Sequence, residues 1–541
     1  MVSDNRFQVN AEPADGTRTN CGPARKACPA SRASSFIFAA FIVLSLAGCA
    51  VGPDYTTSQV GVPARWNGKL PGSVASSQPG RWWRSLRDPV LNTLIENAVA
   101  GNLNVATAML RVREARANYR QVSAGLLPSI TATSLARRTQ IGGVPLGGAI
   151  GAETGILPSG SYGGAGGINN LFQAGLDASW ELDLFGADRR NAEAAWYGVD
   201  AAEDQLDAVL LTLIGDVALN YVNFRGHEAR ILLAQRTARA QRETAALTRT
   251  KLEAGAASAV DLSNAEGIAS STEANIPTIE ILRANAVHRI GILIGREPAA
   301  VVNLLGKAAP IPSPRLPIAA GIPANVLLSR PDVRLAERLL AQATARIGRA
   351  EAARYPSVRL AGNIATSGTE IGDLAKASSI GWSFGPTVSV PVFNAGALVA
   401  AVDAAGARRD QQFLVYQSAV LTALEDVENA IVAFAKDQAR IRKLTASVSS
   451  YREAANLSRS LYQTGSASFL NVLDAQRSLY GAEEALLQTR MAFAADYIAL
   501  GKALGGGWDG GIDVSRPEIM DANTGPHMPS PWSASSRPNR Q

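Results

Sequence analysis

Few side chains in this sequence can do covalent chemistry, and the best placed is the thiol of Cys49. It follows Leu46-Ala47-Gly48 and closes the apolar run Phe36–Leu46, which Arg25, Lys26 and Arg32 precede. A positive flank, an apolar core of ~7–15 residues and small residues before a cut mark a signal peptide. Small residues let a peptidase reach the backbone, and the thiol after the cut takes a diacylglyceryl group. Cys49 is therefore predicted as a lipidation site behind a leader over residues 1–48. The leader is long, and Cys21 and Cys28 lie inside it without an evident task. A lipid contributes ~0.8 kcal/mol per buried methylene, so it tethers a chain without making it span a membrane.

Other chemistries find no residues. There is no G-x-S-x-G elbow and no G-x-x-x-x-G-K-[ST] phosphate loop. The glycines at 160–167 do not open a helix after a strand, and Gly505–Gly507 read as the end of one. The three cysteines all fall at or before position 49, and the histidines are only His227, His288 and His527. A metal site would need carboxylates almost alone, so neither a metal nor a cofactor is expected. The chain is not read as an enzyme. Among 541 residues, Lys and Arg number 52 and Asp and Glu 46, a net charge of +6 without like-charge blocks. Nucleic acid is therefore not an expected partner. Hydrophobic residues at 47% and charged ones at 18% fit a folded chain. No uninterrupted apolar run approaches the ~18 residues of a spanning helix.

Beneath these residues lies a unit used twice. Leu126-Leu-Pro-Ser129 aligns with Arg354-Tyr-Pro-Ser357, and Val105, Ala108, Ala115 and Ala117 align with Val333, Ala336, Ala343 and Ala345. Further on, Gly255, Ser258, Asp261, Asn264 and Ala265 align with Gly465, Ser468, Asn471, Asp474 and Ala475. The first copy is longer in between, and the Gly-rich stretch Ile141–Asn169 is the place for the extra residues. The boundaries follow: a lipid-anchored segment 49–102, a first copy 103–297, a Pro-rich linker 298–330, a second copy 331–505 and a disordered tail 506–541. In each copy a helix (Leu103–Leu127, Asp332–Tyr355) stops at a proline. Two strands come next, then a Pro-free stretch of about 70 residues, roughly 100 Å if helical. These stretches are Gly186–Ala254 and Ala395–Thr464. In the second, Phe413, Tyr416, Val420, Leu424, Val427, Ile431 and Phe434 form a stripe at a coiled-coil period. Gly255 and Gly465 sit where a C-capping residue ends each long helix. Return helices are predicted at Ser258–Gly295, with a kink at Pro277, and at Ser468–Leu504. Ser258-Ala-Val-Asp261 is a capping-box pattern.

The strands decide the class. In Phe172–Leu184, Phe, Ala, Leu, Ala, Trp, Leu and Leu alternate without error against Gln, Gly, Asp, Ser, Glu and Asp. Trp382, Phe384, Val388, Val390 and Val392 repeat the pattern against Ser383, Gly385, Thr387 and Ser389. Val358–Ile364 is a weaker third strand and Ser129–Arg138 a poor fourth. Membrane strands need ~9–11 residues with apolar-out, polar-in alternation, and open edges are not tolerated in lipid. Four strands cannot close a barrel alone, so the chain supplies one segment of an oligomeric barrel. Dimers of eight strands and trimers of twelve both remain open on geometry.

At this point the sequence resembles the TolC-like outer-membrane factors, and within them the NodT-type lipoproteins of tripartite efflux systems. The residues carrying the resemblance include Cys49-Ala-Val-Gly-Pro-Asp-Tyr55, Trp180-Glu-Leu-Asp-Leu-Phe-Gly186, Arg330-Pro-Asp-Val333, Gly385-Pro386 and Pro391-Val-Phe393. Val472-Leu-Asp-Ala-Gln476 and Ala503-Leu-Gly-Gly-Gly-Trp508 extend it to the end of the second copy. Ala50 after the cysteine, where Asp is absent, is similar to lipoproteins sent to the outer membrane. The resemblance implies a mixed α+β membrane protein of a Gram-negative bacterium. Its fold is a homotrimeric 12-stranded outer-membrane β-barrel continuous with a periplasmic α-helical barrel. It implies a channel for drugs or other small molecules, with a periplasmic adaptor and an inner-membrane RND-type transporter as partners. The alternatives are the exit duct of a type I protein secretion system and a poreless, lipid-anchored coiled-coil scaffold. By the same resemblance, Gly255, Gly465, Leu252, Ser258 and Ser468 form the adaptor-docking tip. Asp474, Asn471, Asp261 and Tyr462 form the gate, with Tyr462 donating a hydrogen bond to Asp261. Ala467 stands where some relatives carry Arg.

Overall fold

The computed structural model describes residues 50–57, 61–67, 80–140, 168–314, 323–508 and 510–514, and Ala50–Gln541 forms one compact unit. The predicted leader, Cys49, most of the Gly-rich insertion and the end of the tail lie outside the described residues. The helices are α1 (Pro89–Gly101), α2 (Leu103–Ala124), α3 (Ala187–Glu253), α4 (Ala259–Leu293), α5 (Pro298–Leu305), α6 (Pro323–Ser329), α7 (Pro331–Ala352), α8 (Ala397–Thr464) and α9 (Phe469–Ala503). The strands are β1 (Ser129–Gln140), β2 (Ile168–Leu182), β3 (Ser357–Gly368) and β4 (Ile380–Ser389).

The lengths come in pairs. Helices α2 and α7 have 22 residues each, α3 and α8 have 67 and 68, and α4 and α9 have 35 each. The long pair is about 100 Å long at ~1.5 Å per residue. Glycines in the left-handed region, Gly186 (φ 85°) and Gly396 (φ 84°), turn the chain from each hairpin into its long helix. Helices α2 and α7 end short of the predicted Leu127 and Tyr355. The residues between helix and proline close in i→i+3 turns, such as Leu127 N–H to the Ala124 carbonyl at 3.1 Å and Tyr355 N–H to that of Ala352 at 3.1 Å. The proline behind them disfavours α geometry at the preceding residue. Helix α4 runs unbroken through Pro277.

The four strands form one antiparallel sheet in the order β1-β2-β3-β4. Pairs such as Ala178↔Ile130, Leu176↔Ile364 and Ile364↔Trp382 put the even-numbered residues of all four strands on one face. That face carries Ile130, Phe172, Leu176, Trp180, Leu360, Ile364, Trp382, Phe384 and Val388. The strand β4 stops at Ser389, so Val390 and Val392 continue its alternation outside the ladder. Pro386, which has no N–H to donate, lies on β4, an edge strand within the single chain.

The core sits midway along the long helices. Leu91, Leu94 and Ile95 of α1 join Ile214, Val217 and Tyr221 of α3, Ile290 of α4, Val427 and Ile431 of α8, and Tyr497 of α9. Phe434 stacks on Phe493 at 4.6 Å between centroids. The predicted stripe is buried at Tyr416, Val420, Val427, Ile431 and Phe434 and half-buried at Phe413 and Leu424. Among the described residues, helix α3 alone contains a stretch long and apolar enough to cross a membrane, at a mean hydropathy of 1.3. More than half of that stretch is buried in the protein, which makes it a core helix.

Two segments hold more regular structure than their composition shows. The Pro-rich linker 298–330 contains α5 and α6, because Pro298 and Pro323 each occupy a first helical position, where a missing N–H costs nothing. Val301 and Leu305 of α5 are part of the central core. Segment 49–102 also contains structured elements: a 3-10 turn (Trp82–Leu86) and α1 both bury side chains in that core. The binding force is partly polar. Arg225, 1% exposed, donates to Tyr221 Oη (3.0 Å), Glu228 (2.8 Å) and the carbonyls of Leu305 and Lys307, while Tyr221 donates to Asp88 at 2.7 Å. Burial pushes the Tyr221 hydroxyl well above its ordinary value, so it stays a donor.

Candidate functional site: a polar strand face and a helical tip

The odd-numbered face of the sheet is polar apart from Leu135, Leu171 and small alanines. Thr133 donates to Asp177 at 3.1 Å, Arg359 to Ser179 at 3.1 Å, and Ser383 to Asn363 at 2.7 Å. Glu181 lies opposite Arg359 in the ladder. Among the described strand residues this face holds two acids, Asp177 and Glu181, and two bases, Arg137 and Arg359, so its formal charges cancel. The apolar face is open to its surroundings: Ile130, Trp382 and Phe384 are 72%, 77% and 69% exposed. A polar face and a bare apolar face suit a sheet that separates water from hydrocarbon, and among the described residues its edge strands, β1 and β4, have no further partner within the chain.

The other end of the long helices carries two hairpin turns of the same form. Gly255 (φ 73°) and Gly465 (φ 83°) adopt the left-handed conformation predicted for them. Around the first, Gly255 N–H bonds the Leu252 carbonyl (2.9 Å) and Ala256 N–H that of Lys251 (2.7 Å). Around the second, Gly465 N–H bonds the Tyr462 carbonyl (3.2 Å) and Ser466 N–H that of Leu461 (2.8 Å). These are Schellman closures, which use up the last helical carbonyls. Gly255, Gly465, Ser258 and Ser468 are exposed, and Leu252 is half-buried. A Cβ added to either glycine meets nothing within 4 Å. The surface there is free, and glycine is required by φ alone.

The gate residues divide. Asn471 and Asp474 are exposed on the first turns of α9. Asp261 and Tyr462 do not make the hydrogen bond expected of them. The Asp261 carboxylate accepts from Ser258 N–H (3.1 Å) and Ser258 Oγ (2.8 Å), while Asp261 N–H donates to Ser258 Oγ at 3.1 Å. That closed capping box satisfies the carboxylate locally. Tyr462, 5% exposed, instead donates to Thr248 Oγ1 of α3 at 3.1 Å. Its ring meets Phe469 edge-on at 6.0 Å, and Lys251 Nζ lies 4.9 Å from the ring centre.

Sequence reasoning missed the cluster to which Tyr462 belongs. Ala245 of α3 and Ala265 of α4 pack with Tyr462, Phe469, Val472 and Leu473 of the second hairpin. Gln476 donates to Thr244 Oγ1 (2.9 Å), and Arg459 pairs with Glu243 (2.9 Å). The signal was present as apolar residues beside each turn, but pairing across about two hundred residues is not a periodicity. Above the tip, burial and the nearby Asp437 carboxylate raise Asp496 to about 6. One Asp496 oxygen is buried without a hydrogen-bond partner. Among the described residues no group of three or more His, Cys, Asp or Glu is placed to hold a metal ion.

Comparison with known proteins agrees with this geometry. A family model described as outer membrane efflux protein matches residues 94–296 and 322–506. Nodulation protein T of Rhizobium leguminosarum bv. trifolii is 35% identical over 471 residues, covering 87% of this chain and 97% of that protein. The cation efflux system protein CusC of Escherichia coli O6:H1 is 32% identical over 470 residues, covering 86% and 97%. Among solved structures, the outer-membrane channel OprN superposes with a TM-score of 0.72 at 30% identity, covering 85% of this chain and all of that one.

Proposed function

The chain belongs to the outer membrane efflux protein family, and we propose that three copies of it build the outer-membrane exit duct of a tripartite efflux pump. The observation that carries the reading is the sheet: four strands in one register, apolar on one face and polar on the other, open at both edges. In lipid, each unpaired edge leaves backbone donors and acceptors unsatisfied, so β4 of one copy must pair with β1 of the next. An even number of strands per copy makes that pairing antiparallel, like the others. Two copies would give eight strands, whose interior side chains alone fill, whereas twelve leave an aqueous passage. The matched element lengths support reading each copy as two structural repeats, each giving one β-hairpin to the barrel and one helical hairpin to the tunnel.

The cancelling charges on the polar strand face leave the barrel without a preferred ion. Selection by charge then falls to the tip, where Asp474 of each copy would form an acidic ring with Asn471 beside it. The same tip docks the adaptor through Gly255, Gly465, Leu252, Ser258 and Ser468, and the adaptor links it to an inner-membrane RND-type transporter. Cargo is chosen by that transporter. Asp261 serves as a helix cap, and Tyr462 ties the two hairpins of one copy together.

Two measurements test the reading. The purified protein should migrate as a heat-modifiable oligomer of three chains and conduct ions in planar bilayers; a monomer without conductance overturns it. Gly465→Asp should abolish export while the trimer persists, since the added side chain meets free space and aspartate is among the residues that tolerate the left-handed φ of 83° with little strain. Normal export by that variant removes the docking role.

A further inference from the structure

The first described residues do not trail from the fold; a buried arginine holds them. Arg190, in the first turn of α3, has a side chain only 7% exposed. Its Nε donates to the Val51 carbonyl (3.3 Å), and its Nη2 to the Gly52 carbonyl (3.2 Å) and Asp54 Oδ1 (2.6 Å). Nη1 donates to Glu193 at 2.8 Å. Val51 N–H donates to the Phe185 carbonyl at 3.1 Å. Gly52, at φ 91°, lies so close to α7 that a Cβ on it would come within 2.3 Å of Gly348 Cα. A Cβ on Gly186 would lie 2.9 Å from Ala50 Cα. Farther along, Tyr55 donates to Glu337 of α7 at 3.0 Å. Residues 50–55 are thus a strap threaded between the start of α3 and α7.

A guanidinium buried to this degree is costly unless its donors are matched, and two of the matching acceptors are successive carbonyls of the strap. The place matters too. Gly186, which Ala50 touches, follows the last residue of β2 by four positions, or at most about 13 Å of extended chain. Resting on the reading of Cys49 as lipidated, we propose that Arg190 is a positioning residue. By docking the strap, it delivers the acyl chains to the membrane at the junction of strands and helices. The short tether raises the effective concentration of the sheet at the bilayer where it must insert. The partner of the strap is therefore a lipid surface, reached through the anchor.

The test is a double-mutant cycle on the full chain, reading heat-modifiable trimer yield in outer membranes. The four forms are the parent, Arg190→Met, Cys49→Ala behind a cleavable non-lipoprotein signal, and the double variant. Each single change should lower the yield several-fold, and the double should be no lower than Cys49→Ala, because positioning has no effect without an anchor. Multiplying effects, or an unchanged yield in Arg190→Met, overturn the proposal. Gly52→Val, which blocks seating against Gly348 and leaves α3 intact, should reproduce Arg190→Met; parent-like yield there also overturns it. Palmitate labelling of Arg190→Met should match the parent. Absence of palmitate from the parent would overturn the lipidation reading and the proposal together. The strap itself is read separately, by maleimide on Val51→Cys, which should be protected in the parent and labelled with Arg190→Met. Equal labelling in both overturns the clamp whatever the state of Cys49.

Discussion

The two hairpin turns at the tip share a backbone and differ in how they begin the helix that follows. At Ser258 the cap is closed on itself, with Ser258 and Asp261 exchanging side-chain and backbone bonds. At Ser468 the side chain makes no capping bond, and Asn471 stands where the first copy has Asp261. Glycine fixed the turn in both, because only φ demanded it. The residue three positions into the next helix then decided whether the first amide groups are satisfied by the chain itself. The first hairpin is a finished local unit. The second has no side-chain cap, with Asn471 N–H reaching only the Ser468 carbonyl (3.2 Å), and it also carries Asp474.

The contrast holds only if the hairpins are joined, and Tyr462 joins them. Tyr462→Ala empties a cluster built from both, and truncating a buried aromatic costs about 3–5 kcal/mol. The expected outcome is a leaky channel, seen as higher resting conductance and sensitivity to large antibiotics, with trimers retained. Conductance equal to the parent would mean that the hairpins are held elsewhere. Tyr462→Phe, which loses only the bond to Thr248, should have a much smaller effect.

Next in size is a pH effect confined to the second hairpin. Asp437 of α8 faces Asp496 of α9, and Asp496 titrates near 6 because burial and that neighbour disfavour its charge. A carboxyl raised on folding binds its proton more tightly in the native state. Its stability contribution is therefore greatest at acid pH and falls as pH rises from about 4 through 6. Asp496→Asn should raise the thermal midpoint at pH 8 and leave it nearly unchanged at pH 3, below the ordinary carboxyl value of the unfolded chain. Discounted for partial exposure, the gain is on the order of 1–2 kcal/mol. A gain of equal size at both pH values would assign the effect to packing.

The caps themselves come third. Ser258→Ala removes a closed box and should cost about 1 kcal/mol, seen as roughly fivefold faster amide exchange in the first turn of α4. Ser468→Ala should change the first turn of α9 by no more than a few tenths. Equal effects would erase the difference between the hairpins.

How much of this could be read in advance follows the range of each interaction. Strand alternation and the Gly255 and Gly465 turns are set within a few residues, and the structure places both turns at the predicted glycines and the strands within a few residues of the pattern, β2 ending at Leu182 and β4 at Ser389. The ends of α2 and α7 shifted by three residues because a proline acts on its predecessor, which a boundary drawn at the proline ignores. The bond expected between Tyr462 and Asp261 failed for a physical reason. Asp261 has a partner three residues away at little entropic cost, and that partner was visible as Ser258-Ala-Val-Asp261. Thr248, Arg190 and Arg225 gave no signal at all, since a polar residue on a helix looks the same whether it faces water or a carbonyl from another segment. The motif Cys49–Tyr55 was conspicuous, but nothing in it names Arg190 as its holder.

The smallest effect is the sharpest test of the comparison. Asn471→Asp gives the second hairpin the residue that closes the first, so Ser468 N–H gains a carboxylate acceptor and the α9 dipole a favourable charge. The gain should be about 0.5 kcal/mol, or roughly twofold slower exchange in the first turn of α9. The same change adds an acidic group beside Asp474 in every copy, which should strengthen cation preference by an independent route. Salt separates the two. At 1 M ionic strength the Debye length is ~3 Å, so the added cation preference should largely vanish. A short hydrogen-bonded cap is within that distance, and the slower exchange should survive. If exchange is slowed only at low salt, the aspartate acts as a bare charge. The difference between the hairpins would then be electrostatic, with no part for the cap.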